Sequence, residues 1–378
     1  MIKAAYIHIP FCEHICHYCD FNKVFLKGQP VDEYLDALEQ EIKLTASKNN
    51  APLKTVFVGG GTPTSLNAKQ LERLCAIISE NLHLAENAEY TFEANPGDLS
   101  PDKLKALYDG GVNRLSFGVQ SFNDDLLQRI GRTHRAKDVF TSVEAAKKIG
   151  FDNISIDLMY SLPGQTLDDF AATLKQAFTL DIQHFSGYSL IIEPKTVFYN
   201  LLRKGKLLTP GEDAEASMYR LLMEEMAQHG YKQYEISNFA KEGYESIHNI
   251  TYWNNEEYYG FGAGAHGYVN GYRRSNFGPL KKYMEPLAAG SLPLLDNHQV
   301  TLAEMMEEEL FLGLRKNSGV SLAVFKEKYK QDIETLFAAE LEKLLERGLI
   351  SIEDGNLKLT YNGRFLGNEV FQSFIGIL

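Results

Sequence analysis

An alternation of two periods across the first half of the chain constrains the fold more than any other feature. Short apolar runs at residues 4–9, 55–58, 90–94, 114–119, 154–160 and 185–192 end in Gly, Pro or polar clusters. They read as strands buried on both faces. Longer amphipathic segments at 31–45, 68–81, 101–108, 136–149 and 167–180 lie between them and read as helices. Repeated strand-then-helix units imply a parallel sheet. Six units are too few for a closed eight-stranded barrel, so the expected fold class is α/β, an open or partial barrel. Ligands of such sheets bind at the C-terminal ends of the strands.

The stretch from about 193 to 290 is rich in Tyr, Asn and Gly and reads as irregular surface elements plus one helix near 214–228. Helical patterns return at 302–314, 322–329 and 333–347. They are followed by Leu349-Ile350-Ser351-Ile352, a turn at Asp354-Gly355, and Leu357-Lys358-Leu359-Thr360. Helices followed by a small hairpin suggest a smaller, mostly α, winged-helix-like C-terminal domain. The expected division is a core over 1–230, an irregular extension over 231–299 and a helical domain over 300–378.

A balance of 38 basic and 50 acidic side chains gives a net charge of −12, which argues against nucleic acid as a partner. The N-terminal segment has no signal-peptide pattern, and no apolar run reaches the length of a membrane span. The expected location is the cytoplasm.

Three of the four cysteines stand in Cys12-Glu13-His14-Ile15-Cys16-His17-Tyr18-Cys19, a C-x-x-x-C-x-x-C just after the first strand. That crowding suits a metal site in a reducing compartment. Three thiolates can hold three irons of a [4Fe–4S] cluster. The open fourth iron can then chelate the amino and carboxylate groups of S-adenosylmethionine (SAM). Zinc is the competing metal, with His14 or His17 as a fourth ligand. Cys75 lies on an apolar helical face at 71–78 and reads as core.

Further motifs succeed the later strands: Gly59-Gly60-Gly61-Thr62-Pro63-Thr64, Glu93 in Phe92-Glu93-Ala94-Asn95-Pro96, Gln120 in Gly118-Val119-Gln120-Ser121, Arg132 in Ile130-Gly131-Arg132-Thr133-His134, and Asp157 inside an apolar run. A buried charge such as Asp157 needs a partner. The glycine stretch is not a P-loop, because the Lys-Ser/Thr ending is missing. Gly262-Ala263-Gly264-Ala265-His266-Gly267 matches G-x-G-x-x-G literally. The residues after it, Tyr268-Val269-Asn270-Gly271, do not open a helix, and no nucleotide role is assigned.

Together these motifs closely resemble the radical SAM superfamily, and within it the branch of oxygen-independent coproporphyrinogen III oxidases and the related HemW heme chaperones. The resemblance runs from Tyr6 to about Phe365. It implies the partial (β/α)6 barrel of that superfamily, with Cys12, Cys16 and Cys19 as cluster ligands. It also implies that Gly60, Gly61 and Thr62 receive the SAM amino group, that Glu93 and Gln120 bind SAM, that Arg132 pairs with its carboxylate, and that Asp157 meets its ribose. Tyr6 and Tyr18 flank the cluster and are further candidates for packing on SAM.

The oxidases share another Cys two places after the third, where this chain has Phe21, and an N-terminal extension, whereas here the cluster begins at residue 12. Both features resemble the heme chaperones. So does His248-Asn249-Ile250-Thr251-Tyr252-Trp253, which matches their H-N-x-x-Y-W signature. The resemblance thus implies a chaperone that binds heme and, with SAM and a [4Fe–4S] cluster, transfers it to acceptor proteins without coproporphyrinogen III oxidase activity. The oxidase itself is the alternative. His248 is the expected heme ligand. Expected partners are heme, heme-accepting proteins and a small reductant such as flavodoxin or ferredoxin. Membrane contact through acceptors and a homodimer complete the expectation.

Overall fold

The computed structural model describes residues 1–46 and 51–378. Six strands, β1 (Ala4–Ile9), β2 (Leu53–Gly60), β3 (Leu84–Ala94), β4 (Arg114–Gln120), β5 (Asn153–Tyr160) and β6 (His184–Ser189), lie side by side in sequence order, all parallel. The connecting helices are α1 (Val31–Ala46), α2 (Ala68–Asn81), α3 (Pro101–Asp109), α4 (Asp124–Arg129), α5 (Ala136–Ile149) and α6 (Leu167–Phe178). This is the expected partial (β/α)6 barrel. Its helix starts are fixed locally: α2 and α6 open on capping boxes, Asn67 with Gln70 and Thr166 with Asp169.

The strands alternate in a way that periodicity of burial alone hides. Ile7, Val56, Val58, Phe92, Leu115, Phe117, Ile156 and Phe185 pack into the main apolar core. Their neighbours Tyr6, Phe57, Glu93, Arg114, Ser116, Asp157 and Ser186 line cavities inside the barrel. Both faces are buried, but one is apolar and the other largely polar. Register then sets the polar neighbours: Glu93 stands beside Ser116, and Asp157 lies between Gly118 and Ser186.

The stretch expected to be irregular is largely ordered. Strands β7 (Lys232–Glu235) and β8 (Asn238–Ala240) extend the sheet beyond β6, and β9 (Tyr259–Phe261) pairs in parallel with β1. The sheet therefore has nine strands, in the order β9-β1-β2-β3-β4-β5-β6-β8-β7. Strands of three or four residues carry too few alternations to be read from sequence; the sheet edges hold them. A separate three-stranded sheet comes next, formed by His266–Val269, Tyr272–Asn276 and Leu294–Gln299. The G-x-G-x-x-G segment is a packed corner. Buried Glu41 accepts from Gly262 N (2.8 Å), Asn276 Nδ2 (2.6 Å) and the Tyr283 hydroxyl (2.6 Å).

A second core gathers Leu310, Phe325, Phe337, Leu341, Leu357 and Phe374. Around it lie the helices Leu302–Gly313, Leu322–Tyr329, Ile333–Leu336 and Ala338–Glu346, with a small sheet of Val320–Ser321, Ile350–Glu353 and Asn356–Leu359. The single helix expected over 333–347 breaks at Phe337, whose side chain is fully buried in this core. Cys75 is buried, as expected of a small core hydrophobe. Among the described residues, no helix is long and apolar enough to cross a membrane.

Candidate functional site

Parallel strands bring their C-terminal ends to one rim, and the cysteine loop lies there. After β1, Phe11–Cys12 pairs with Val24–Phe25, and Val24 N–Pro10 O and Leu26 N–Cys12 O bonds of 2.8 Å close the neck of the loop. Cys12 is buried, and Cys16 and Cys19 are half-buried. Burial pushes the Cys12 thiol up to about 11, against a lowering by its Thr62 hydrogen bond. The thiol therefore stays protonated until a metal displaces the proton. His17 is bound elsewhere: its N–H donates to Ile130 O (3.0 Å) and its Nδ1 lies 3.0 Å from Arg129 O.

A cavity of about 290 Å³ opens on this loop, and the three cysteines, Tyr18, Gly60, Gly61, Thr62, Glu93, Gln120, Arg132 and Asp157 all line it. Eleven of the thirteen candidate residues thus meet in one place, brought there from separate segments of the chain. Gly60 has φ +114°, a left-handed conformation that suits glycine. A Cβ on Gly61 would lie 2.8 Å from Phe11 O and 3.0 Å from Cys12 Sγ, so only glycine lets this turn abut the cluster loop. Gln120 sits at a β-bulge with φ +69°, which turns its side chain to the rim.

The electrostatics are those of a site built for a charged ligand. Glu93 accepts from Gly60 N (3.1 Å); burial, then the nearby Asp157, pushes its carboxyl up to about 8. Burial also raises Asp157, whose Oδ1 accepts from Ser116 Oγ (3.4 Å). Arg132 is aimed from two sides. Its guanidinium donates to the Tyr18 hydroxyl at 2.8 and 3.2 Å and to Asn95 Oδ1 at 2.6 Å. Asn95 donates in turn to Thr62 Oγ1 (3.1 Å), which donates to Cys12 Sγ (3.7 Å). This chain of bonds couples the cluster loop to the strand ends.

The donor set fits the expected cofactors. Three soft thiols on one wall suit iron of an iron–sulfur cluster. In the same cavity, buried carboxylates and a guanidinium suit a ligand carrying both an amino group and a carboxylate. Among the described residues, no three His, Cys, Asp or Glu converge on one metal ion.

Tyr6 and His248 stand apart. They line an adjoining cavity of about 330 Å³ inside the barrel, which shares Phe21, Gly60, Glu93, Ser116, Asp157 and Tyr188 with the first. His248 is 1% exposed on the short helix Ile247–Trp253. Its Nε2 meets the Tyr252 hydroxyl at 2.8 Å, its Nδ1 lies 3.3 Å from Thr55 Oγ1, and its ring stacks on Phe57. Burial, then Arg114, lowers it to about 3, so the ring is neutral. Buried Glu89 caps this helix, accepting from Ile247 N and His248 N, both at 3.0 Å. Tyr6 donates or accepts at His8 Nδ1 (3.0 Å).

Sequence reasoning missed Asn95, Ser116, Arg114 and Tyr188. Asn95 was visible as a close neighbour of Glu93 in the same motif. Arg114 looked like an ordinary strand start, yet it is buried and its Nε has no hydrogen-bond partner.

Comparison with known proteins agrees with this geometry. The family model of the radical SAM superfamily matches residues 6–177, and that of the HemN C-terminal domain matches residues 300–366. The chain is 57% identical to a heme chaperone HemW from Bacillus subtilis over 379 residues, covering 100% of both chains. It is 47% identical to one from Lactococcus lactis, covering 99% of this chain and 97% of the relative. Among solved structures, coproporphyrinogen III oxidase (HemN) from Escherichia coli, a radical SAM enzyme, superposes with a TM-score of 0.88 at 27% identity, covering 100% of this chain and 91% of the other. By full-length identity, fold and site, this chain belongs to the HemW heme chaperone family of the radical SAM superfamily.

Proposed function

We propose that this chain binds heme and passes it to heme-accepting proteins, with a [4Fe–4S] cluster and SAM at the barrel mouth. One observation carries the reading: the 57% identity to the Bacillus subtilis heme chaperone spans the whole of both chains. In this proposal Cys12, Cys16 and Cys19 hold the cluster. Gly60, Gly61, Thr62 and Glu93 receive the SAM amino group, and Arg132, fixed by Tyr18 and Asn95, takes the carboxylate. Asp157 faces the ribose hydroxyls, and Gln120 closes the rim. Bound together, cluster and SAM supply reductive cleavage of a sulfonium C–S bond, with the electron drawn from a flavodoxin- or ferredoxin-like protein. A homodimeric state and membrane contact through acceptors belong to the same proposal. So does the division into a core of 1–230, its extension over 231–299, and a C-terminal unit of 300–378.

His248 enters as a brace. Both ring nitrogens are engaged inside the barrel, so it holds the helix Ile247–Trp253 against β2. The second reading, oxidation of coproporphyrinogen III, has the TM-score of 0.88 behind it. A shared fold does not carry a reaction. At the mouth the chain presents Phe21, 61% exposed, which has no proton or thiol to give.

The test is an anaerobic heme titration of cluster-reconstituted protein, then addition of an apo-hemoprotein and a parallel assay with coproporphyrinogen III. Saturable binding and heme transfer without coproporphyrinogen turnover is the expected result. Turnover without tight heme binding replaces the chaperone reading with the oxidase.

A further inference from the structure

A cavity of about 700 Å³, more than twice either barrel cavity, lies between the barrel and the C-terminal helices. Tyr160 and Tyr219 line it from the barrel side, and Arg315, Arg364 and Phe365 from the other. We propose that this junction cavity is the heme site, with the macrocycle on the aromatic walls and the two propionates on Arg315 and Arg364. The assignment rests on the heme-chaperone reading and gives it a place.

The cavity offers a flat dianion two guanidinium groups and several aromatic faces. Arg315 lies over the Trp253 ring, 4.3 Å from its centroid, and its Nε is buried without a hydrogen-bond partner. Its nearest carboxylate, Glu235 Oε2, is 3.8 Å away, beyond hydrogen-bond reach, and is itself unsatisfied. A guanidinium so placed lacks the paired oxygens that its fork geometry matches. Arg364 donates to the neutral Gln233 Oε1 (3.0 Å) and forms no ion pair among the described residues. Carboxylates border the cavity as well, and the two arginines are its cationic points. Glu215 accepts from Ser189 Oγ (2.6 Å), Glu369 is paired with Arg347 (2.5 Å), and Glu212 and Asp213 stand at the exposed rim. Tyrosine and phenylalanine faces supply the apolar contact, and the volume falls in the range of ligand pockets.

This placement also gives the H-N-x-x-Y-W helix a use. Its last residue, Trp253, supports Arg315, while His248 and Tyr252 anchor its other side in the barrel. Tyr188 lines all three cavities, so a heme here adjoins the mouth where SAM would sit.

The experiment is an anaerobic titration of the cluster-reconstituted chain with heme and with heme dimethyl ester, whose propionates carry no charge. Wild type, Arg315→Ala, Arg364→Ala and Ala216→Trp are compared, the last filling the cavity and leaving every charge in place. Wild type is expected to prefer heme over the ester by about tenfold or more, and each arginine variant to lose about tenfold in heme affinity together with that preference. Ala216→Trp is expected to abolish saturable binding with the cluster intact. Wild-type affinity and ester discrimination in all three variants would overturn the site and leave the chaperone reading standing. Absence of heme binding by wild type would instead remove the chaperone reading itself.

Discussion

The two ends of the barrel use the same residue types in opposite ways. At the mouth, thiols, carboxylates and a guanidinium from distant segments face an open cavity, and their polar atoms are held by the protein only in part. On the far side, at the helix Ile247–Trp253, an equally polar set is consumed internally: Glu89 by backbone N–H groups, and His248 by Tyr252 and Thr55. A motif that stands out in sequence can therefore mark either a ligand site or a structural clasp. What separates them is where the hydrogen bonds go.

The sharpest break between the two regions comes from the cysteines. Replacing Cys12, Cys16 or Cys19 by Ser is expected to abolish the [4Fe–4S] cluster completely, seen as loss of iron, sulfide and the visible absorption. Far-ultraviolet circular dichroism is expected to stay that of a folded chain. The clasp should respond in the reverse sense. Glu89→Ala leaves the buried His248 N–H and the part-buried Ile247 N–H without acceptors, and a loss of about 2 kcal/mol in denaturant unfolding is expected. Unchanged stability there would mean that the helix is not held as described.

His248→Ala is expected to lose about 2 kcal/mol, from the removed ring and the orphaned Tyr252 hydroxyl, with cluster content and SAM affinity unchanged. If heme affinity instead collapses while stability holds, His248 is a ligand and not a brace. Burial sets the sign of the pH effect. With a folded value of about 3 against about 6.5 unfolded, the unfolded chain takes up the proton first. This residue's contribution is whole above pH 6.5 and is lost as pH falls towards 3, by up to about 1.4 kcal/mol per pH unit. Comparing the acid limbs of wild type and His248→Phe isolates it.

At the mouth, Glu93 has the opposite polarity. Its carboxyl is held near 8, so it is largely neutral at pH 7 before a ligand arrives. SAM affinity should change between pH 7 and 9 as this carboxylate forms and as the α-amino group of SAM, whose ordinary value lies in the same window, loses its proton; Glu93→Gln should remove the first contribution and keep the second. A pH profile identical in wild type and variant would show that another group controls binding.

Much of this architecture is legible in the sequence, because long buried strands and capped amphipathic helices announce themselves by period and end signals. Helices α2 and α5 run as expected, over Ala68–Asn81 and Ala136–Ile149. Eleven candidates at the mouth were findable because most of them end a strand or lie just beyond one, and parallel strands force those ends together. The rest lay beyond local pattern. Strands β7 to β9 are too short to show a period, and the polar inner face of the barrel became visible only with register. Whether His248 faces a ligand or a neighbour depends on Thr55, some two hundred residues away, and the junction cavity is assembled from Tyr160 to Phe371 by packing alone.

In the proposal made here, the cluster and heme occupy different regions of one chain. The most direct test is heme titration of the Cys12→Ser/Cys16→Ser/Cys19→Ser variant beside the cluster-loaded wild type. Saturable heme binding by the cluster-free variant, within about threefold of wild-type affinity, is the predicted result. Loss of heme binding together with the cluster, in a chain that remains folded, would contradict it and place heme at the barrel mouth.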